Sequence, residues 1–266
     1  RMYFDLDGSF PNHPPDPLRV ETLVALQQRM RETHADLGIA TDGDGDRIFF
    51  LDERAEVIPA SLTTALVASM LLKDHPGDRV LVDVRYTRNA FAAIRAAGGV
   101  PGLSRVGHAR ISEQLRREHG LFAGESSGHY FFRDSGYAEA PLLVILTVLR
   151  ALADARAPAS VVFGRFRVAA ESGEVNFRAS DTAAIATCVA ALRTAYADGT
   201  ASDLDGVSIE YPDWRFNVRA SNTEPLIRLN IEGADAGTVA RERNTIVQHI
   251  TTCLRGHGSP DTGAPQ

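Results

Sequence analysis

"TDGDGDR", Thr41 to Arg47, sets three carboxylates at alternate positions, separates them with glycine and closes on a guanidinium. Asp42, Asp44 and Asp46 repel one another, and the two glycines weaken any helix or strand built across them. The stretch therefore reads as a loop. Short apolar runs flank it, "LGIA" (Leu37 to Ala40) before and "IFFLD" (Ile48 to Asp52) after, and both read as strands.

Alternation in an extended loop puts the three carboxylates on one side, and glycine lets the backbone curl round a small cation. Hard oxygen donors of this kind suit Mg²⁺ or Ca²⁺ rather than zinc. A calcium-binding EF-hand loop is the rival reading, because a loop beginning at Asp42 finds Glu53 in its twelfth place. Its sixth place, where the sharp turn calls for glycine, is Arg47, and helices should flank it instead of strands. The blander alternative is an acidic hairpin tip in water.

Upstream of the loop, "MYFDLDG" (Met2 to Gly8) reads as a strand and "GSFPNHPPDP" (Gly8 to Pro17) as turns. A helix with Leu23, Leu26 and Met30 on one face follows. The chain enters the first strand-like run directly from Arg1, which suggests a further portion before it. Downstream, helix and strand alternate. "PASLTTALVASMLL", "NAFAAIRAA", "ARISEQLRREHG" and Ala140 to Ala153 are helical, while "RVLVDV", "LFAG" and "HYFF" are strands. That rhythm predicts a sheet with helices on its faces. From about Gly164 the order changes to a strand, a helix, three strand runs ("GVSIEY", "RFNVRA", "PLIRLNIEG") and a last helix carrying Val239, Ile246, Ile250 and Leu254, an α+β unit.

The 266 residues are 44% hydrophobic, enough for one large or two to three small domains. A net charge of −6 without a basic block gives nucleic acid no electrostatic footing. Cys188 and Cys253 lie far apart in the chain, with no framework or metal spacing, which suits a reducing cytosol. "PLLVILTVL" is too short to span a bilayer, so a cytoplasmic protein without a membrane partner is expected.

Two other loops carry chemistry. "GESSGH" (Gly124 to His129) offers a carboxylate, hydroxyls and an imidazole, a hydrogen-bonding set for vicinal sugar hydroxyls. "RASNTEPLIR" (Arg219 to Arg228) gathers guanidinium, hydroxyl and amide donors able to converge on one phosphate. A solvated turn and a capped turn with an incidental arginine are the plain alternatives.

"DGDGDR", "GESSGH" and "RASNTEP", in this order and with this spacing, together with "DGSFPNHPPDP" and "SRVGHARI", resemble the α-D-phosphohexomutases, the phosphomannomutase/phosphoglucomutase family. The resemblance implies mixed-sheet three-layer α/β domains followed by a C-terminal α+β domain like the TATA-binding protein's. It also implies a cleft among the four domains that family members have. Here it divides the chain at 1–54 (end of domain 2), 55–163 (domain 3) and 164–257 (domain 4), with 258–266 a disordered tail. It implies that Asp42, Asp44 and Asp46 hold Mg²⁺ with Arg47 beside them, and that Glu125, Ser127 and His129 grip the sugar hydroxyls. Arg219, Ser221, Asn222 and Thr223, with Arg228 closing the loop, would clamp the non-reacting phosphate. His108 matches a position near the reacting oxygen that assists proton transfer. Arg85, in "DVRYTRNA", stands where the family commonly has lysine, and an arginine stays charged instead of acting as a base.

The implied activity is an isomerase's. A phosphoserine gives its phosphoryl group to mannose or glucose 1- or 6-phosphate, and the hexose 1,6-bisphosphate returns the other one. The family's phosphoserine loop has no counterpart in this sequence, so the polypeptide itself is expected to bind without turning over. After "GHYFFRD", "SGYAEAPLL" replaces the family's usual aspartate-glycine pair.

Overall fold

The acidic run joins β1 (Gly38–Thr41) to β2 (Ile48–Leu51). The two strands pair antiparallel with Thr41 opposite Ile48, and β3 (Val57–Ile58) adds to β2. Helix α1 (Val24–Thr33) buries Met30 against Leu51 and Ala55, the small core behind this hairpin. The computed structural model describes residues 1–221 and 224–256. The expectations for Asn222, Thr223 and the 258–266 tail lie outside the described residues.

One expectation fails at the start. "MYFDLDG" forms no strand, and Phe4 and Leu6 are exposed. A strand needs a neighbour to take its N–H and C=O groups, and no described sheet includes this stretch.

The chain forms two compact units: Arg1–Asp83, Asn89–Leu103 and Gly107–Arg167 in the first; Val84–Arg88, Ser104–Val106 and everything described from Val168 onward in the second. Besides the hairpin, the first unit contains a mixed sheet. Its strands are β4 (Arg79–Asp83), β5 (Val100–Ser104), β6 (Phe122–Gly124), β7 (Tyr130–Phe132) and β8 (Ala138–Glu139), in the order β5-β4-β6-β7-β8. β4 and β6 run parallel; β7 and β8 continue antiparallel.

Strand side chains alternate between faces. Val80, Val82, Phe122, Tyr130 and Phe132 enter one core with Leu62 and Leu66 of α2 (Ala60–Leu71), Ile94 of α3 (Arg88–Ala96), Val144 and Val148 of α5 (Pro141–Ala155) and Val162 of α6 (Ala159–Gly164). Leu81, Ala123 and Phe131 point the other way, onto Ile111 and Leu115 of α4 (His108–Arg117). Two cores on two faces make three layers. Strand β5, "VPGLS", escapes a pattern search because of its proline and glycine. It is the edge strand, where a missing N–H is tolerated.

The second unit is an antiparallel sheet of β10 (Val175–Arg178), β11 (Thr200–Ser202), β12 (Val207–Glu210), β13 (Trp214–Ala220) and β14 (Leu226–Gly233), ordered β10-β14-β13-β12-β11. β9 (Ala170–Glu171) pairs with the end of β14. Phe216, Val218, Ile227, Leu229 and Ile231 pack with Ile185 and Leu192 of α7 (Thr182–Ala195) and Val239, Ile246 and Ile250 of α8 (Ala236–Gly256). Asp181 caps α7 by accepting from Ala184 N.

Helices α7 and α8 also correct the cysteine reading. Cys188 and Cys253, 65 residues apart, form a disulfide with Cα atoms 5.7 Å apart, and no free cysteine remains. Sequence spacing does not report which helices lie side by side, so the bond was invisible in the chain, and cysteine usage gives no support to a reducing compartment.

Candidate functional site

In the first unit the acidic loop and the "GESSGH" loop are built against each other. Ile48 N, at the start of β2, donates to Gly128 O at 3.0 Å. Gly128 has φ +90°, and a Cβ there would meet Phe49 Cε2 at 2.6 Å, so this close approach requires glycine. Gly45, φ +76°, allows the acidic loop to turn. Gly43 rests on Phe10 and Pro15 of the upstream turns. In the other loop, Ser126 N donates to buried Asp83 at the end of β4, at 2.5 Å, and Glu125 N and His129 O close the turn at 2.9 Å.

Asp42, Asp44 and Asp46 each place a carboxylate oxygen within 4.8 Å of the others. Burial pushes the Asp42 carboxyl above the ordinary range, and the charges of Asp46 and Asp44 push the same way; the Arg47 N–H and guanidinium offset this only in part. Asp46 Oδ1 is buried and has no hydrogen-bond partner among the described residues. Repelling carboxylates, one with an orphaned oxygen, are short of positive charge, and hard oxygen donors fit a divalent cation such as Mg²⁺. Glu53, the EF-hand's twelfth place, is engaged elsewhere: it accepts from Ser160 N at 3.0 Å and Ser160 Oγ at 2.5 Å. Strands flank the loop on both sides, against the calcium-hand reading.

Arg47 ties the two loops. Its Nε lies 3.3 Å from Asp42 Oδ2 and 3.3 Å from His129 Nε2. His129, only 8% exposed, sets Nδ1 at 2.9 Å from Ser127 Oγ and 3.1 Å from Glu125 Oε2, while Nε2 is 3.4 Å from Asp46 Oδ2. Buried Glu125 also accepts from Gly107 N at 2.9 Å, at the start of α4. His108 opens that helix. Its ring stacks on His129 at 6.0 Å, and its Nδ1 is 3.3 Å from Glu139 Oε1 on β8. Asp42, Asp44, Asp46, Arg47, His108, Glu125, Ser127 and His129 thus all belong to one unit. Glu139 belongs with them; the sequence marked only that its segment departs from the family pattern.

In the second unit Arg219 is buried on β13, and Arg228 faces it across the ladder on β14. Glu174 lies between them, Oε2 at 3.5 Å from Arg219 and Oε1 at 2.8 Å from Arg228, whose other nitrogen is 3.2 Å from Ser221 Oγ. Arg219 Nε and Arg228 Nε are buried and donate to no acceptor among the described residues. Burial, followed by the charge of Arg85, pulls the Arg219 guanidinium below its ordinary value; Glu174 opposes this only in part. The group is short of negative charge, a fit for an anion.

Arg85 sits in a segment fixed by residues that sequence reading missed. Glu232, fully buried, accepts from Thr87 N at 2.9 Å, Arg88 N at 2.8 Å and Arg215 at 2.8 Å. Arg215 donates onward to the carbonyls of Arg85 and Val84 at 3.1 and 2.9 Å.

Models of one protein family match the chain in three consecutive stretches. Residues 1–55 match phosphoglucomutase/phosphomannomutase alpha/beta/alpha domain II, residues 60–167 domain III and residues 174–249 the C-terminal domain. A protein described as phosphohexose mutases from Xanthomonas campestris is 37% identical over 259 residues, covering 96% of this chain and 56% of the relative. A phosphomannomutase of Salmonella typhimurium is 39% identical over 229 residues, 85% of this chain and 50% of the relative. A solved phosphoglucomutase/phosphomannomutase family protein from Burkholderia thailandensis superposes with a TM-score of 0.83 at 30% identity, covering 98% of this chain and 55% of that one. The chain spans about half the length of these relatives.

Proposed function

This chain belongs to the phosphoglucomutase/phosphomannomutase family, and from that premise we propose that it carries the metal-, sugar- and phosphate-binding residues of a Mg²⁺-dependent phosphohexomutase. The enzyme interconverts mannose or glucose 1- and 6-phosphates through a bound bisphosphate. The observation that carries this reading is the Ile48–Gly128 hydrogen bond, which builds a carboxylate triad short of cations and a sugar-type hydrogen-bonding loop on one edge. The domain division at 1–54, 55–163 and 164–257 is supported by the three separate family matches.

Each residue's role follows from its chemistry. Asp42, Asp44 and Asp46 hold Mg²⁺, which when bound supplies neutralisation of the charge on a transferring phosphoryl group. Arg47 adds a fixed positive charge beside them. Glu125 and His129 orient sugar hydroxyls, with Ser127 holding the His129 ring. Arg219, Arg228 and Ser221 bind the non-reacting phosphate, and Asn222 and Thr223 of the same sequence loop are assigned to it too. His108 moves the proton of the reacting hydroxyl. Arg85 contributes charge, not base chemistry. With no phosphoserine segment in its 266 residues, this polypeptide binds ligand and does not turn over. A binding fragment without chemistry is thus the reading for the chain itself.

Titration calorimetry with glucose 1,6-bisphosphate, mannose 1-phosphate and free glucose, with and without Mg²⁺, tests this. Both phosphates bind and free glucose does not. Arg219→Met weakens the phosphates about 10- to 100-fold, the loss of a charged hydrogen bond, and Asp44→Asn abolishes Mg²⁺ uptake. Glucose binding as tightly as its bisphosphate, or Mg²⁺ uptake unaffected by Asp44→Asn, overturns the assignment. Isomerisation by the isolated chain overturns the claim that it is inactive.

A further inference from the structure

Glu139 has no counterpart among the roles above. It lies in "SGYAEAP", and its place is set by the β7–β8 pairing, which puts it opposite Phe131, two residues after His129. Its carboxylate oxygen is 3.3 Å from His108 Nδ1. His108 is 64% exposed at the side chain against 8% for His129, so burial does not confine its ring as it confines that of His129. The two rings nonetheless stack at 6.0 Å with 26° between their planes, and each turns Nδ1 to a carboxylate, Glu125 for His129 and Glu139 for His108. The segment bearing Glu139 is fastened to α4 independently of this contact. Ser112 Oγ donates to Tyr137 O at 2.6 Å, and Arg116 donates to Gly136 O at 2.8 Å.

We propose that Glu139 is a positioning residue for His108, accepting the Nδ1 proton and leaving Nε2 as the bare, basic nitrogen. Without such an acceptor a neutral histidine side chain prefers its proton on Nε2 and rotates freely when exposed. A carboxylate at Nδ1 reverses the tautomer and fixes the ring. The use of that nitrogen in proton transfer rests on the reading of His108 proposed above; the tautomer itself does not.

The experiment is long-range ¹⁵N–¹H correlation of the imidazoles in the ¹⁵N-histidine-labelled chain, in chelator at mildly alkaline pH, with His108→Asn to assign the signal. Wild type shows a proton on Nδ1 and a bare Nε2. Glu139→Ala loses that pattern and moves to the Nε2–H form, whereas Glu139→Gln, whose amide oxygen still accepts, retains much of it. The ties through Ser112 and Arg116 keep α4 and β8 in place, checked by unchanged backbone amide shifts in α4. A purely structural Glu139 would leave the tautomer untouched. An Nε2–H form in wild type, or a pattern indifferent to Glu139→Ala, overturns the proposal. Neither result depends on sugar phosphate, so failure here is distinct from failure of the mutase reading.

Discussion

Replacing Glu232 by alanine should cost the second unit about 4 kcal/mol, a large share of an ordinary domain's stability. The side chain is completely buried and accepts from two backbone N–H groups and from Arg215, whose own side chain is 4% exposed. Alanine leaves Thr87 N and Arg88 N without an acceptor, at about 1–3 kcal/mol each. It also leaves Arg215 with its carbonyl partners and Glu210 Oε2, the latter half-exposed at 2.9 Å. Breaking a buried pair from one side alone costs about 3–5 kcal/mol. These penalties share one site and do not add, so the total stays near the cost of the broken pair. Urea titration followed by fluorescence measures it directly. Trp214 is the chain's single tryptophan, stands next to Arg215 on β13 and stacks on Tyr211 at 4.8 Å. Glu232→Leu combined with Arg215→Met removes both charges and should recover about 2 kcal/mol of the loss, the remainder being the two bare amides. A single-variant loss below about 1 kcal/mol would refute the claim that this pair holds the segment bearing Arg85.

Two further outcomes are expected. Because the Asp42 carboxyl is raised, the native state holds its proton more tightly than the unfolded chain does. Its contribution is therefore full below the ordinary aspartate value and is lost as pH rises through the raised one. In chelator, wild type should lose stability across that window relative to Asp42→Asn, and Mg²⁺ at neutral pH should reverse the loss; parallel curves in circular-dichroism urea titrations would contradict it. Cys253→Ser should destabilise the second unit by about 3 kcal/mol relative to the oxidised protein, and dithiothreitol should bring wild type down to the variant. Equal stability under both conditions, read from the same tryptophan, would contradict it.

What the chain disclosed in advance was whatever had a local pattern. Helices α2, α5 and α8 and strands β4 and β14 have long apolar runs or a clear period. The acidic loop and "GESSGH" have unusual composition, and the structure joins them through Ile48 and Gly128. What stayed hidden depends on neighbours remote in sequence. Short edge pieces such as β5, β9 and β11 are too brief or too broken by proline and glycine to show a period. "MYFDLDG" has a strand's composition and no strand beside it. The Cys188–Cys253 bond needed the packing of two helices. Glu139, Glu174, Arg215 and Glu232 are single charges inside ordinary strands or their flanks. They matter through partners that lie as far as 145 residues away in the sequence, far outside any local window.

The bond from Ile48 N to Gly128 O also has a thermodynamic meaning. It joins the acidic loop to the "GESSGH" loop, with Arg47 and His129 as a second link, so in the function proposed above the metal and the hexose share one framework. Under that proposal linkage is reciprocal: whatever factor a metal ion applies to hexose affinity, the hexose must apply to the metal. Titrating either one in the presence of the other measures the same quantity twice, and the two values have to agree.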